Sequence, residues 1–209
     1  MSIIENVSSM AGDSTERSNI EVAVECINHP DLLKEIEKGL GDKNQKVVGD
    51  CAEVLTKVAE EKPLLVLPYA AILVKLLTHK FTRARWEAVH ALAMIAEYAD
   101  DELEKCFPLL IELIRNDKSV IVRDYAVDVF ANYAKRGKKE AEITLPLLKE
   151  SLYVWDGKHA GHALVGLRNV LRHLPECKVE CVCIAHEFSK SSKGVVVKAA
   201  KALLKEAER

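Results

Sequence analysis

The chain has 209 residues, 49% hydrophobic and 30% charged, a balance that excludes a disordered or low-complexity polymer and supports a substantial core. Its 30 basic and 32 acidic residues leave a formal charge of −2, so no global imbalance points to nucleic acid or a membrane surface. Aromatic residues make up only 5%, too few for a typical β-sandwich or barrel.

Residues 1–18 (MSIIENVSSMAGDSTERS) lack the basic segment and long apolar stretch of a secretory leader, and without apolar periodicity they read as a polar tail. The longest apolar run, Leu64 to Val74, is too short for a membrane span and contains a proline. Six cysteines (Cys26, Cys51, Cys106, Cys177, Cys181 and Cys183) are too sparse for a disulfide scaffold, so free thiols and a cytoplasmic location are expected. A lead-in helix is predicted over about residues 19–28.

From there one pattern recurs. KVVGDCAEVLTKV, RARWEAVHALAMI, VIVRDYAVDVFANY, KHAGHALVGLRNV and VVVKAAKALLKEA each centre on a small residue, namely Cys51, Ala88, Ala126, Ala163 and Ala200, spaced 37 or 38 residues apart. Apolar or small residues follow each anchor at three, four and seven places. Those offsets fall within about 60° of the anchor on a helix, one continuous face. We name these helices B. Between them, Leu67-Pro68, Phe107-Pro108 and Leu145-Pro146 each precede an apolar-periodic stretch, and since proline is tolerated in a first helical turn they predict the starts of intervening helices A. The connecting segments GDKNQ, HKFT, NDKS, WDGK and SSKG carry turn chemistry. The β-branched run Val195 to Val197 falls on the helical repeat. The expected architecture is all-α, a right-handed α-solenoid of about five two-helix repeats over residues 29–62, 63–101, 102–139, 140–176 and 177–209, with helix content above about 70% against a globular average near one third.

This unit resembles the HEAT/armadillo-like helical repeat. The V-R-x-x-A kernel of that family appears as Val122-Arg123-Asp124-Tyr125-Ala126 and, more weakly, as Ala84-Arg85-Trp86-Glu87-Ala88; the other units have Val48, Ala160 and Val197 in place of the arginine. The resemblance covers about residues 29–209. It implies a stacked-repeat fold that hosts adaptors, regulatory subunits and a few enzymes, so it leaves the function open.

The helix B positions expected to line the inner, concave surface include Asp50, Glu53, Lys57, Glu87, His90, Met94, Tyr125, Asp128, Asn132, His162 and Asn169. Four carboxylates against one lysine predict an acidic face. Asn132 and Asn169, one repeat apart, resemble the asparagine ladder with which armadillo proteins hold a peptide backbone. Asp50, Glu53, Glu87, His90, Tyr125, Asp128, Asn132, His162 and Asn169 are therefore the candidate partner-binding residues, for a protein or peptide segment carrying basic groups. Alternatively, Lys43, Lys80, Arg83 and Lys118, in the turns leading into helices B, form an edge suited to phosphate or nucleic acid.

Other chemistry has less behind it. Cys177, Cys181 and Cys183 with His173 and His186 have zinc-ligand types, but the C-x₃-C-x-C spacing sends the thiols to different sides of a helix. Glu87-x-x-His90 matches one half of a di-iron motif that needs two copies, and His186-Glu187 is a single copy of the pair that HEAT-like iron hydroxylases repeat, which leaves a metalloenzyme as the remote alternative. His159 and His162 lie one helical turn apart and read as surface decoration. No catalytic residue, metal or cofactor is assigned. The expected function is a non-enzymatic scaffold or adaptor.

Overall fold

The structure, a computed structural model, describes residues 2–209. It is 76% helical, and the described residues contain no strand. The described chain clusters into two compact units, one ending at Leu103 and one spanning Glu104–Arg209.

The first unit contains α1 (Ser8–Ala11), α2 (Arg17–Asn28), α3 (Leu33–Gly39), α4 (Gln45–Glu61), α5 (Pro63–Val66), α6 (Ala70–Leu76) and α7 (Thr82–Ile95). Helices α4 and α7 are the first two helices B, packed side by side, with α3 and then α5 and α6 as their helices A. Helix α4 starts where Asn44 accepts the Lys46 N–H at 3.0 Å, a side-chain cap on an otherwise orphan donor. Pro63 opens α5, and Pro68 sits in the 3₁₀ turn Leu67–Tyr69, so this helix A is broken into two short pieces.

Met1 lies outside the described residues, and residues 3–9 are not the polar tail expected over residues 1–18. Ile3–Asn6 is a 3₁₀ turn, and Ile3 and Val7 are buried in the first unit's core. The Ser8 and Ser9 amides donate to Asn19 Oδ1 and Asp50 Oδ2, both at 2.8 Å. Two apolar residues four apart are too short a signal to register as a period, yet they suffice to dock the segment.

The second unit contains α8 (Phe107–Asn116), α9 (Val120–Tyr133), α10 (Lys138–Ser151), α11 (Ala160–Leu171), α12 (Lys178–Phe188) and α13 (Gly194–Ala207). Helices α9, α11 and α13 are helices B and pack in series, with α8, α10 and α12 as their helices A. Pro108 stands in the first turn of α8 as predicted. Pro146 does not start a helix: it lies inside α10, which begins eight residues earlier, after Gly137. The break in bonding is tolerated because Pro146 and Glu142, whose carbonyl loses its N–H partner, are both on the exposed side. The α10–α11 connection holds three successive left-handed residues, Trp155 (φ 56°), Asp156 (φ 53°) and Gly157 (φ 66°), two of them without glycine's freedom.

All five anchors, Cys51, Ala88, Ala126, Ala163 and Ala200, have zero exposure. They are small because helices B approach closely. At Gly166 a Cβ would stand 2.5 Å from Leu148 Cδ2 and 3.0 Å from Ala131 Cβ, so α9, α10 and α11 meet where only hydrogen fits.

Candidate interaction surfaces

In the first unit the acidic helix B face is not a solvated surface. Asp50 is 1% exposed, and Glu53 and Glu87 are 7% exposed. Arg83 bridges the first two, with Nη1 at 2.8 Å from Asp50 Oδ1 and Nη2 at 2.6 Å from Glu53 Oε2. The Asn19 amide donates to the same two carboxylates, at 3.1 and 2.5 Å. The network joins α2, α4 and α7 and, through the Ser9 amide, the N-terminal segment. Buried carboxylates demand such partners, and here they have them.

Glu87 stands behind this network. Burial and the neighbouring Glu53 push its carboxyl up from 4.5 to about 7, while the Trp86 indole N–H, donating at 2.5 Å, acts the other way. His90, one turn on, is held down at about 4 by burial and by Lys57, so its imidazole is neutral near pH 7. Thr56 ties the two helices B together by donating to the Glu87 carbonyl at 2.9 Å.

The second unit has its own polar network, centred on Arg123. The guanidinium, 3% exposed, donates through Nη1 to the Asp117 carbonyl, donates through Nε to His159 Nε2 at 3.0 Å, and lies 4.0 Å from the Trp155 ring centroid. Because Nε2 of His159 accepts, Nδ1 carries the proton and donates to Asp124 Oδ1 at 2.6 Å. Trp155, in the left-handed turn, donates its indole N–H to the Ile114 carbonyl at 3.0 Å and so satisfies an orphan acceptor at the end of α8. His162 pairs through Nδ1 with Asp128 Oδ1 at 2.8 Å, and that carboxylate raises the imidazole's pKa despite partial burial.

The candidate partner-binding residues therefore divide. Asp50, Glu53 and Glu87 are internal, and so is Asn169, which is 1% exposed and donates to the Ala131 carbonyl at 2.8 Å. Their placement on an open face is corrected: helices B pack so closely that these side chains reach the neighbouring helix instead of solvent. His90, Tyr125, Asp128, Asn132 and His162 remain half-buried and accessible. Of the candidate phosphate-binding residues, Lys43 and Lys80 in the first unit and Lys118 in the second are exposed, whereas Arg83 is committed to Asp50 and Glu53.

The kernel arginines show what the residue pattern alone left unread. Arg85 donates to the His79 carbonyl at 2.8 Å and Arg123 to the Asp117 carbonyl, in each case six residues back, so both clasp the turn before their own helix. The fully buried His159 is no surface decoration; the signal available was its register, 36 residues after Arg123. Cys181 is buried and Cys183 exposed, and no three His, Cys, Asp or Glu side chains among the described residues converge as metal ligands. No helix among the described residues is long and apolar enough to cross a membrane.

No family model matches the chain, and no curated protein matches it. Solved structures do. An engineered protein is similar over 100% of this chain and 99% of its own, with TM-score 0.71 and 21% identity. A designed armadillo repeat protein covers 90% of this chain and 86% of its own at TM-score 0.66 and 22% identity. A computationally designed armadillo repeat protein for modular peptide recognition covers 98% of each chain at TM-score 0.68 and 20% identity. With its buried anchors, paired helices and this likeness along its length, the chain has the armadillo/HEAT-like helical-repeat fold.

Proposed function

We propose that the protein is a non-enzymatic scaffold that holds a segment of another protein on the accessible part of its helix B faces. The observation that carries this reading is the face of the second unit, where Tyr125, Asp128 and Asn132 of α9 lie beside His162 and Val165 of α11, half-buried or exposed on adjacent parallel rows. Such a surface offers aromatic, aliphatic and hydrogen-bonding groups on rigid helices, which suits an extended or helical segment. The design of a similarly folded protein for modular peptide recognition supports the same use. A basic partner loses most of its support, because Asp50 and Glu53 are neutralised internally by Arg83 and Asp128 is shared with His162. The lysine edge keeps Lys43, Lys80 and Lys118 but not Arg83, which weakens the phosphate or nucleic-acid reading.

The test is affinity capture from host extract with the full chain, followed by mass spectrometry, comparing the unchanged protein with a Tyr125→Ala/Asn132→Ala variant. A protein captured by the first and lost by the second, at unchanged circular dichroism, is the expected result. Capture that survives this variant but is abolished by nuclease or by Lys43→Glu/Lys80→Glu/Lys118→Glu would transfer the function to the lysine edge.

A further inference from the structure

The groove between α11 and α13 has a chemistry of its own. It encloses about 260 Å³ and is lined by Gly161, His162, Val165, Arg168, Val195, Lys198, Ala199 and Ala202. Its floor is aliphatic, and Val195 is 77% exposed, a large β-branched side chain left to water at the start of a helix. On the α11 side Gly161 carries no side chain, and a Cβ there would stand in ordinary van der Waals contact with Val195, 3.6 Å from its Cγ1.

The rim is cationic. Lys198, Lys201 and Lys205 follow one another at spacings of three and four on α13, so they share one stripe, and all three are exposed. None of them makes an ion pair, in a unit where Lys138, Lys149 and Arg172 all do. Arg168 faces the groove from α11, and its Nε is buried with no hydrogen-bond partner. The nearby acids are already engaged: Glu206 with Arg172 and Arg209, and Asp128 with His162. An aliphatic slot beside an unneutralised row of cations is complementary to aliphatic side chains flanked by carboxylates.

We propose that the α11–α13 groove binds an acidic, aliphatic segment of a partner protein, its Leu, Ile or Val side chains on Val165, Val195 and Ala202 and its Asp or Glu side chains on Lys198, Lys201 and Arg168. This deepens the scaffold reading and rests on it, by fixing the partner's chemistry at one end of the second unit. Apolar contact there supplies the anchor, and the lysines raise the on-rate and select against basic segments.

The experiment is selection of a displayed library of random dodecapeptides on the full chain, followed by anisotropy titration of the enriched peptides. Enriched peptides should combine aliphatic residues with two or more Asp or Glu. Their affinity should fall at least tenfold with Val195→Glu and with Lys198→Glu/Lys201→Glu, and should weaken with salt. These positions are exposed, so both variants should keep the unchanged circular dichroism and melting temperature. Enriched peptides that are basic, or that ignore both variants, would overturn the proposal. If such peptides instead respond to Tyr125→Ala/Asn132→Ala, the scaffold reading stands without this groove. If no peptide is enriched, both readings fall. A dimer in solution that Val195→Glu converts to a monomer would assign the groove to a second copy of this chain, and binding of an oligonucleotide through the same lysines in preference to any peptide would assign it to nucleic acid; either result overturns the proposal.

Discussion

Arg83→Met separates two roles for one side chain. As a phosphate ligand on an exposed edge, Arg83 would be dispensable to the fold, and its loss would change stability by no more than about 0.5 kcal/mol. The structure makes it the counter-ion of two buried carboxylates, at 2.8 Å from Asp50 and 2.6 Å from Glu53. Methionine keeps the aliphatic stem but removes the only cation in direct ion-pair contact with the two acids. Asp50 retains the Ser9 amide and the Asn19 side chain, while Glu53 retains only Asn19. Breaking a buried pair in this way costs about 3–5 kcal/mol, and the lower end applies because the Arg83 side chain is 27% exposed. The expected loss is therefore about 3 kcal/mol. With a denaturant slope of about 2 kcal/mol/M, the urea midpoint of the first unit should fall by about 1.5 M. Cleavage within residues 12–16 by limited proteolysis should accelerate too, because Asp50 no longer holds a fixed position under the Ser9 amide. The triple variant Arg83→Met/Asp50→Asn/Glu53→Gln should recover much of the loss, since amides remove the buried charge. A midpoint unchanged within about 0.25 M in Arg83→Met would refute the counter-ion role.

Three further outcomes follow from other sites. Glu87 holds its proton up to about pH 7 in the fold against an ordinary 4.5, so its contribution to stability is complete below pH 4.5 and lost as pH rises through 7, with about 3 kcal/mol as the upper bound; denaturant titrations from pH 4 to 8 should show Glu87→Gln flattening this decline, and parallel curves for the two proteins would count against it. Asp128→Asn should lower the His162 imidazole pKa, measured by NMR titration, because the carboxylate at 2.8 Å is the main cause of its elevation; the stability that this pair adds is present below the unfolded histidine pKa and fades as pH rises through the folded one. Gly166→Val should destabilise the second unit by about 2 kcal/mol in chemical denaturation, since a side chain there collides with Leu148 and Ala131; a neutral result would mean that α10 and α11 can separate freely.

The repeat is legible in the residue pattern alone. A small anchor every 37 or 38 residues with apolar neighbours on one helical face can be buried only by stacking, and all five anchors are buried. Helix starts were legible where a local rule acts alone, as at Pro108, but not at Pro146, where burial of Ala141 and Leu148 on one side outweighs a proline on the other. Which polar side chains are surface and which are core emerges only from the packing of the helices. A carboxylate one step off the anchor face has the same local pattern whether it meets water or a guanidinium thirty residues away. Asp50 and Glu53 turn inward because Arg83 and Asn19 arrive from other helices, and His159 is buried because Arg123 and Asp124 reach it from α9. Such pairings depend on distances between segments far apart in the chain, and helical periodicity, which is a property of one segment, carries no record of them.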